Sequence, residues 1–266
     1  MLWAVRAVLC LFPFLAGAAV FSFGGVLAWR LPRGAPVVRG RSACPACGHT
    51  LGAGDLVPVF SWLFLRGRCR YCGARIPLRH LLEELLGGAA ALLCGARFGT
   101  GPLLGLSLPA LTALFACAVL YAIACHDAAT QEIPDELNAA LGALALVFVL
   151  AQGALHGGWA ALAARHIAGA LCVSVPMLLL CLAVPGGFGG GDIKLMAAAG
   201  LLLGWSQAFV AAFLAVLSGG AYAAYLLARG RAGRRDHIAF GPFLCAGIAA
   251  ALFAGDAAAA WYFALL

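Results

Sequence analysis

The chain has 266 residues, 64% of them hydrophobic and only 10% charged, with a formal net charge of +7. Soluble proteins average roughly 25% charged residues, so the composition excludes an ordinary soluble domain and points to a polytopic membrane protein. Nucleic acid is not needed to explain the positive charge, because basic loops fix membrane topology and attract anionic lipid heads.

Apolar runs long enough for a bilayer, about 20 residues at helical rise, are predicted near residues 7–29, 82–98, 103–125, 137–155, 161–184, 207–228 and 243–264. A short eighth lies at Ile193–Leu203. The runs are continuously apolar, whereas barrel strands alternate over about ten residues. The expected fold is therefore an all-α polytopic membrane protein of about eight transmembrane helices. The first run has only Arg6 in front and its positive charge behind, the reverse of a signal peptide, so it is expected to be retained.

Between the first two runs stand Arg30, Arg33, Arg39, Arg41, Arg66, Arg68, Arg70, Arg75 and Arg79, against the single acid Asp55. Positive loops stay cytoplasmic, which predicts a periplasmic amino terminus. Counting the short run as a span also places Asp127–Glu136, Gly186–Asp192 and the cluster Arg229, Arg231, Arg234 and Arg235 inside. Seven spans would put that last cluster on the wrong side.

Residues 31–80 read as a small cytosolic insert between a first span, 1–30, and a helical bundle, 81–266. Cys44, Cys47, Cys69 and Cys72 form C-x2-C-x21-C-x2-C, two pairs of thiolates suited to a tetrahedral structural zinc site. Gly48 and Gly73, directly after each pair, suit a tight knuckle turn. The other cysteines sit in or beside apolar runs and read as small buried hydrophobes.

Acids are scarce enough to weigh singly. Asp127 closes the third run and Asp192 opens the short one, behind Gly186, Gly187, Gly189, Gly190 and Gly191. Two carboxylates brought to one site make an aspartic protease: one activates water while the other, protonated, polarises the scissile carbonyl. Helix polarity suggests Asp192 as base and Asp127 as acid. The bland readings are a cap for Asp192 and a solvated loop charge for Asp127, with Asp135 a turn and cap residue after Pro134. Lys194 is expected to snorkel toward lipid or contact substrate, and His126 to be a merely amphipathic interface residue. A rival of another class is a non-enzymatic membrane transporter or assembly scaffold with a zinc ribbon, in which the two aspartates line an ion pathway.

These motifs, in order, resemble the type IV prepilin leader peptidases, bifunctional membrane aspartic proteases and N-methyltransferases. "CPAC" and "CRYC" match that family's cysteine pairs, "DLVPVFSWLFLRGRC" the stretch between them, "DAATQEIPDELN" its D-x6-P-D segment, and "GFGGGDIKLM" its G-x-G-D-x-K-L. The resemblance implies Asp127 and Asp192 as the catalytic pair, with Gly189, Gly191, Asp135, Lys194 and Glu84 as motif residues. It further implies cleavage of the basic leaders of prepilins and type II secretion pseudopilins at the cytosolic face of the bacterial inner membrane, then methylation with S-adenosylmethionine as donor. Phe21 and Gly25 stand where the family's Gly and Asn are usual, and His80 replaces a common Tyr; these departures fall in the half linked to methyl transfer.

Overall fold

Ten α-helices account for most of the chain, in a computed structural model that describes residues 2–34, 40–99, 107–184, 189–231 and 238–265. Arg39, Gly186, Gly187, Arg234 and Arg235, invoked above, lie outside the described residues. The helices are α1 (Leu2–Arg30), α2 (Phe60–Phe64), α3 (Leu78–Phe98), α4 (Leu108–Thr130), α5 (Asp135–His156), α6 (Trp159–Cys172), α7 (Ser174–Ala183), α8 (Gly190–Leu203), α9 (Trp205–Ala228) and α10 (Gly241–Phe263). Among the described residues there is no strand, only two isolated bridges, Ala43 with Thr50 and Arg68 with Arg75. The all-helical expectation holds because a continuously apolar backbone satisfies its own hydrogen bonds only as helix.

Among the described residues, six helical segments are long and apolar enough to cross a membrane: Leu9–Arg30, Leu108–Thr130, Asp135–His156, Trp159–Ala183, Trp205–Ala228 and Gly241–Phe263. The chain is thus a multi-pass membrane protein. The other two expected spans also form helices, without meeting that criterion. α3 carries Arg79, Glu83, Glu84 and Arg97, and α8 has 14 residues, about 21 Å at 1.5 Å per residue. The run 161–184, expected as one helix, is broken at Val173 between α6 and α7.

By contacts the chain divides into two compact units, Met1–Leu114 and Phe115–Leu266. In the first, α1 packs along α3, and small residues set the closeness: a Cβ on Gly87 would collide with the Gly17 carbonyl oxygen. In lipid, where apolar burial drives no association between helices, such backbone approach lets van der Waals contact do so.

In the second unit the short α8 is the axis. α5, α6, α7, α9 and α10 all pack against it, and its Leu195, Met196, Leu202 and Leu203 are buried. Gly169 of α6 and Gly200 of α8 meet backbone to backbone. A central helix enclosed on all sides reads as uniformly apolar, which is why its 14 residues show little amphipathic pattern.

Candidate active site and metal centre

The residues around Asp127 and Asp192 all belong to the second unit. Asp127 lies near the carboxyl end of α4 and is buried at 5% exposure, so it is no solvated loop charge. Its Oδ2 accepts the backbone N–H of Gly241 at 2.9 Å. Gly241 opens α10 ahead of Pro242, where the first N–H groups of a helix have no partner of their own. A Cβ at Gly241 would fall 2.7 Å from the same carboxylate oxygen.

Asp192 sits in the first turn of α8, and its Oδ2 accepts the N–H of Gly189 at 3.3 Å. It does cap its helix, as the bland reading proposed, yet it also lies close enough to Asp127 for the two charges to act on each other. Helix polarity no longer distinguishes the two groups, because each carboxylate faces the positive amino-terminal end of a helix.

Two further residues frame the glycine motif. Asn138 of α5, buried at 6% exposure, donates through Nδ2 to the Gly191 carbonyl at 3.3 Å. Its Oδ1 has no partner among the described residues. Gly191 presses on Ile133, whose Cβ would lie 2.9 Å from a Cβ placed there. Neither Asn138 nor Gly241 was singled out from sequence; the Gly-Pro pair opening the last span was the available signal for Gly241.

Asp135 and Lys194 meet each other, a pairing that neither expectation included. Lys194 Nζ lies 2.8 Å from each oxygen of the Asp135 carboxylate, an exposed bidentate ion pair joining α5 to α8. Asp135 is the first residue of α5, and its side chain does not cap it. His126 departs from expectation too: it is buried, and its Nδ1 lies 2.9 Å from the Glu132 carbonyl oxygen and 2.9 Å from Thr130 Oγ1. It fastens the turn between α4 and α5.

The first unit holds the four paired cysteines and Glu84. The ligand atoms of Cys44, Cys47, Cys69 and Cys72 lie within 4.8 Å of one another and could hold a metal ion. Cys44 Sγ and Cys72 Sγ are 3.8 Å apart, close to the edge of a tetrahedron with metal–sulfur bonds of about 2.3 Å. Each knuckle closes the same way: Gly48 N–H donates to Cys44 O at 2.8 Å and Gly73 N–H to Cys69 O at 3.0 Å. Both glycines are left-handed, at φ 71° and 72°, as the tight turn requires. Backbone N–H groups of Cys47 and then Ala46 lower the Cys44 thiol to about 6, so a thiolate is ready for a cation.

The second knuckle is tied to the linker by Asp55, which accepts from Arg70 Nε at 2.7 Å, Tyr71 OH at 3.1 Å and Gly52 N–H at 3.1 Å. Glu84 of α3 accepts the N–H of Val59 at 2.6 Å. Val59, at the start of α2, has φ 66°, a region disfavoured for a β-branched residue.

Comparison with known proteins agrees in outline. Residues 15–98 match the bacterial peptidase A24 N-terminal domain, and residues 114–224 match the type IV leader peptidase family. A prepilin leader peptidase/N-methyltransferase of Burkholderia pseudomallei is 40% identical over 219 residues, 81% of this chain and 67% of that protein. One of Bacillus subtilis is 32% identical over 259 residues, 94% of this chain and 96% of its own length. One of Aeromonas hydrophila is 35% identical over 227 residues, covering 84% of this chain and 74% of the relative. No solved structure matches the chain significantly.

Proposed function

The chain belongs to the type IV leader peptidase family, and from that premise we propose that it cleaves the basic leader of prepilins and type II secretion pseudopilins. Asp127 and Asp192 form the catalytic pair. The observation that carries this reading is their convergence: two carboxylates remote in sequence, each accepting through Oδ2 a backbone N–H at the start of a helix, with the charge of Asp127 bearing on Asp192.

In this reading Oδ1 of each carboxyl faces the attacked bond. The ionised member takes a proton from water as the oxygen adds to the scissile carbonyl, and the protonated member donates a hydrogen bond to that carbonyl. Close carboxylates share one proton because both cannot ionise together. The anchoring donors hold the pair so that little is spent on orientation. The site lies at the cytosolic face of the inner membrane and the amino terminus in the periplasm, the arrangement that puts the arginine clusters inside.

Zinc fills the four-cysteine site as a structural ion, holding Cys44 and Cys47 to Cys69 and Cys72. S-adenosylmethionine supplies the methyl group for the new amino terminus, in keeping with the double name of the relatives. No observation favours the transporter or scaffold reading.

The test uses purified protein in detergent with a prepilin bearing a basic leader. The shortened chain is expected, and Asp127→Asn and Asp192→Asn should each abolish it while leaving expression intact. Continued cutting by both variants would end the proposal. The mass of the processed pilin separates cutting from methyl addition.

A further inference from the structure

The insert that carries the cysteines also carries a short apolar helix without cover. In α2, Phe64 is 81% exposed and Leu63 52%, and Phe60, with Leu56 and Val57 just before it, is exposed as well. A contiguous apolar patch of this kind on a small polar domain marks an interaction surface.

Its attachment within the unit identifies the surface it meets. The start of α2 is held by the hydrogen bond from Val59 N–H to Glu84. Glu84 lies in the second turn of α3, about 9 Å along that helix from Leu78. The neighbouring Glu83 carboxylate abuts α1, where a Cβ on Gly25 would fall 2.7 Å from it. Gly25 lies inside the apolar span Leu9–Arg30, more than one turn before its end. The helix is therefore fastened at the depth where α1 enters the apolar layer, and not above it.

Charge completes the match. Arg66 and Arg68 follow α2 directly, Arg75 and Arg79 lead into α3, and the insert's single acid, Asp55, is taken up by Arg70 at 2.7 Å. Aromatic side chains settle at headgroup level, and arginines beside them are drawn to anionic lipid.

We propose that Leu56, Val57, Phe60, Leu63 and Phe64 dip into the headgroup region of an anionic bilayer and seat the cysteine knuckles against it. The seat leaves the insert one orientation relative to the membrane, with the Val59–Glu84 bond as its hinge pin. It rests on the membrane-spanning helices and not on the catalytic roles of Asp127 and Asp192.

The full chain is reconstituted in vesicles of phosphatidylethanolamine and phosphatidylglycerol with Phe64→p-benzoylphenylalanine, and separately with the exposed Ser42→p-benzoylphenylalanine ahead of the first knuckle. After irradiation the intact mass is measured. A phospholipid adduct several-fold more abundant at position 64 than at 42, and several-fold weaker when phosphatidylcholine replaces phosphatidylglycerol, is expected. Equal yields at the two positions, indifference to the anionic lipid, or an adduct with added prepilin in place of lipid would each overturn the seat. Cutting of the prepilin by both labelled proteins shows that they are folded. Loss of cutting in the unlabelled chain would count against the peptidase reading and leave the lipid adducts readable.

Discussion

Asp127 depends on a residue whose side chain is a hydrogen atom. Gly241→Ala would place a methyl group 2.7 Å from Asp127 Oδ2, so the carboxylate must move or lose the N–H that holds it. Misplacement by about an ångström costs on the order of 100-fold in rate. The variant is expected to lose most of its kcat on a prepilin substrate with KM little changed; an unchanged kcat would show that the anchor is idle. The Asp135–Lys194 pair calls for the opposite expectation. Its side chains are 69% and 57% exposed, and exposed pairs contribute about 0–1 kcal/mol. Lys194→Gln should leave thermal stability within that margin, so any larger loss of cleavage locates the lysine at the substrate. The aspartates were legible in the sequence because acids are rare in it. Gly241 and Asn138 were not, since each acquires its role from a partner far along the chain.

At the scale of the element, the two knuckles show how little of the insert rests on apolar burial. Cys44 and Cys69 are buried while Cys47 and Cys72 are exposed, so a metal held by the four would supply cohesion that apolar burial does not. Cys44→Ser or Cys69→Ser should lose the stoichiometric metal, read by elemental analysis of protein purified without chelators. The insert should then become protease-sensitive; an insert equally resistant without metal would refute the structural role. Asp55 adds a pH dependence. The hydrogen bond from Arg70, with that from Gly52 N–H, holds its carboxyl below the usual range. A depressed folded value means that the contribution is fully present above about pH 4, the ordinary value for aspartate, and is lost as pH falls through the lowered one. Asp55→Asn should abolish that acid-side loss in a protease-sensitivity profile. The cysteine spacing and the glycine turns were readable because chemistry fixes them. The helix α2 was not, because five residues are too few to show a period; the break at Val173 did have a signal, Pro176 in the first turn of α7, which lacks the N–H that would bond the Cys172 carbonyl.

At the scale of the whole chain, the second unit turns on how closely α8 can be approached. Apolar runs predicted most helices to within a few residues, yet hydropathy says nothing about which helix sits in the middle. Glycine does. A Cβ on Gly200 would collide with the backbone of Gly169, whereas one on Gly142 would meet only the Ala198 methyl at 3.9 Å. Gly200 lies on the axis helix itself and Gly142 on α5, which packs against it, so they separate close approach from a general intolerance of bulk. Gly200→Leu should force α6 away from α8, with an overpacking cost of about 1–3 kcal/mol or more. Because Asp192 rides on α8, prepilin cleavage should fall together with the midpoint of thermal unfolding. Gly142→Ala should leave both nearly unchanged. Asp256 of α10 pairs with Arg165 of α6 at 3.0 Å. The topology expected from the arginine clusters places the amino terminus outside and Arg229 inside. A reporter active only in the periplasm, fused ahead of α1, should therefore give signal, and one inserted after Arg229 should give none; the reverse pattern would invert the bundle and move the aspartates away from a cytosolic leader.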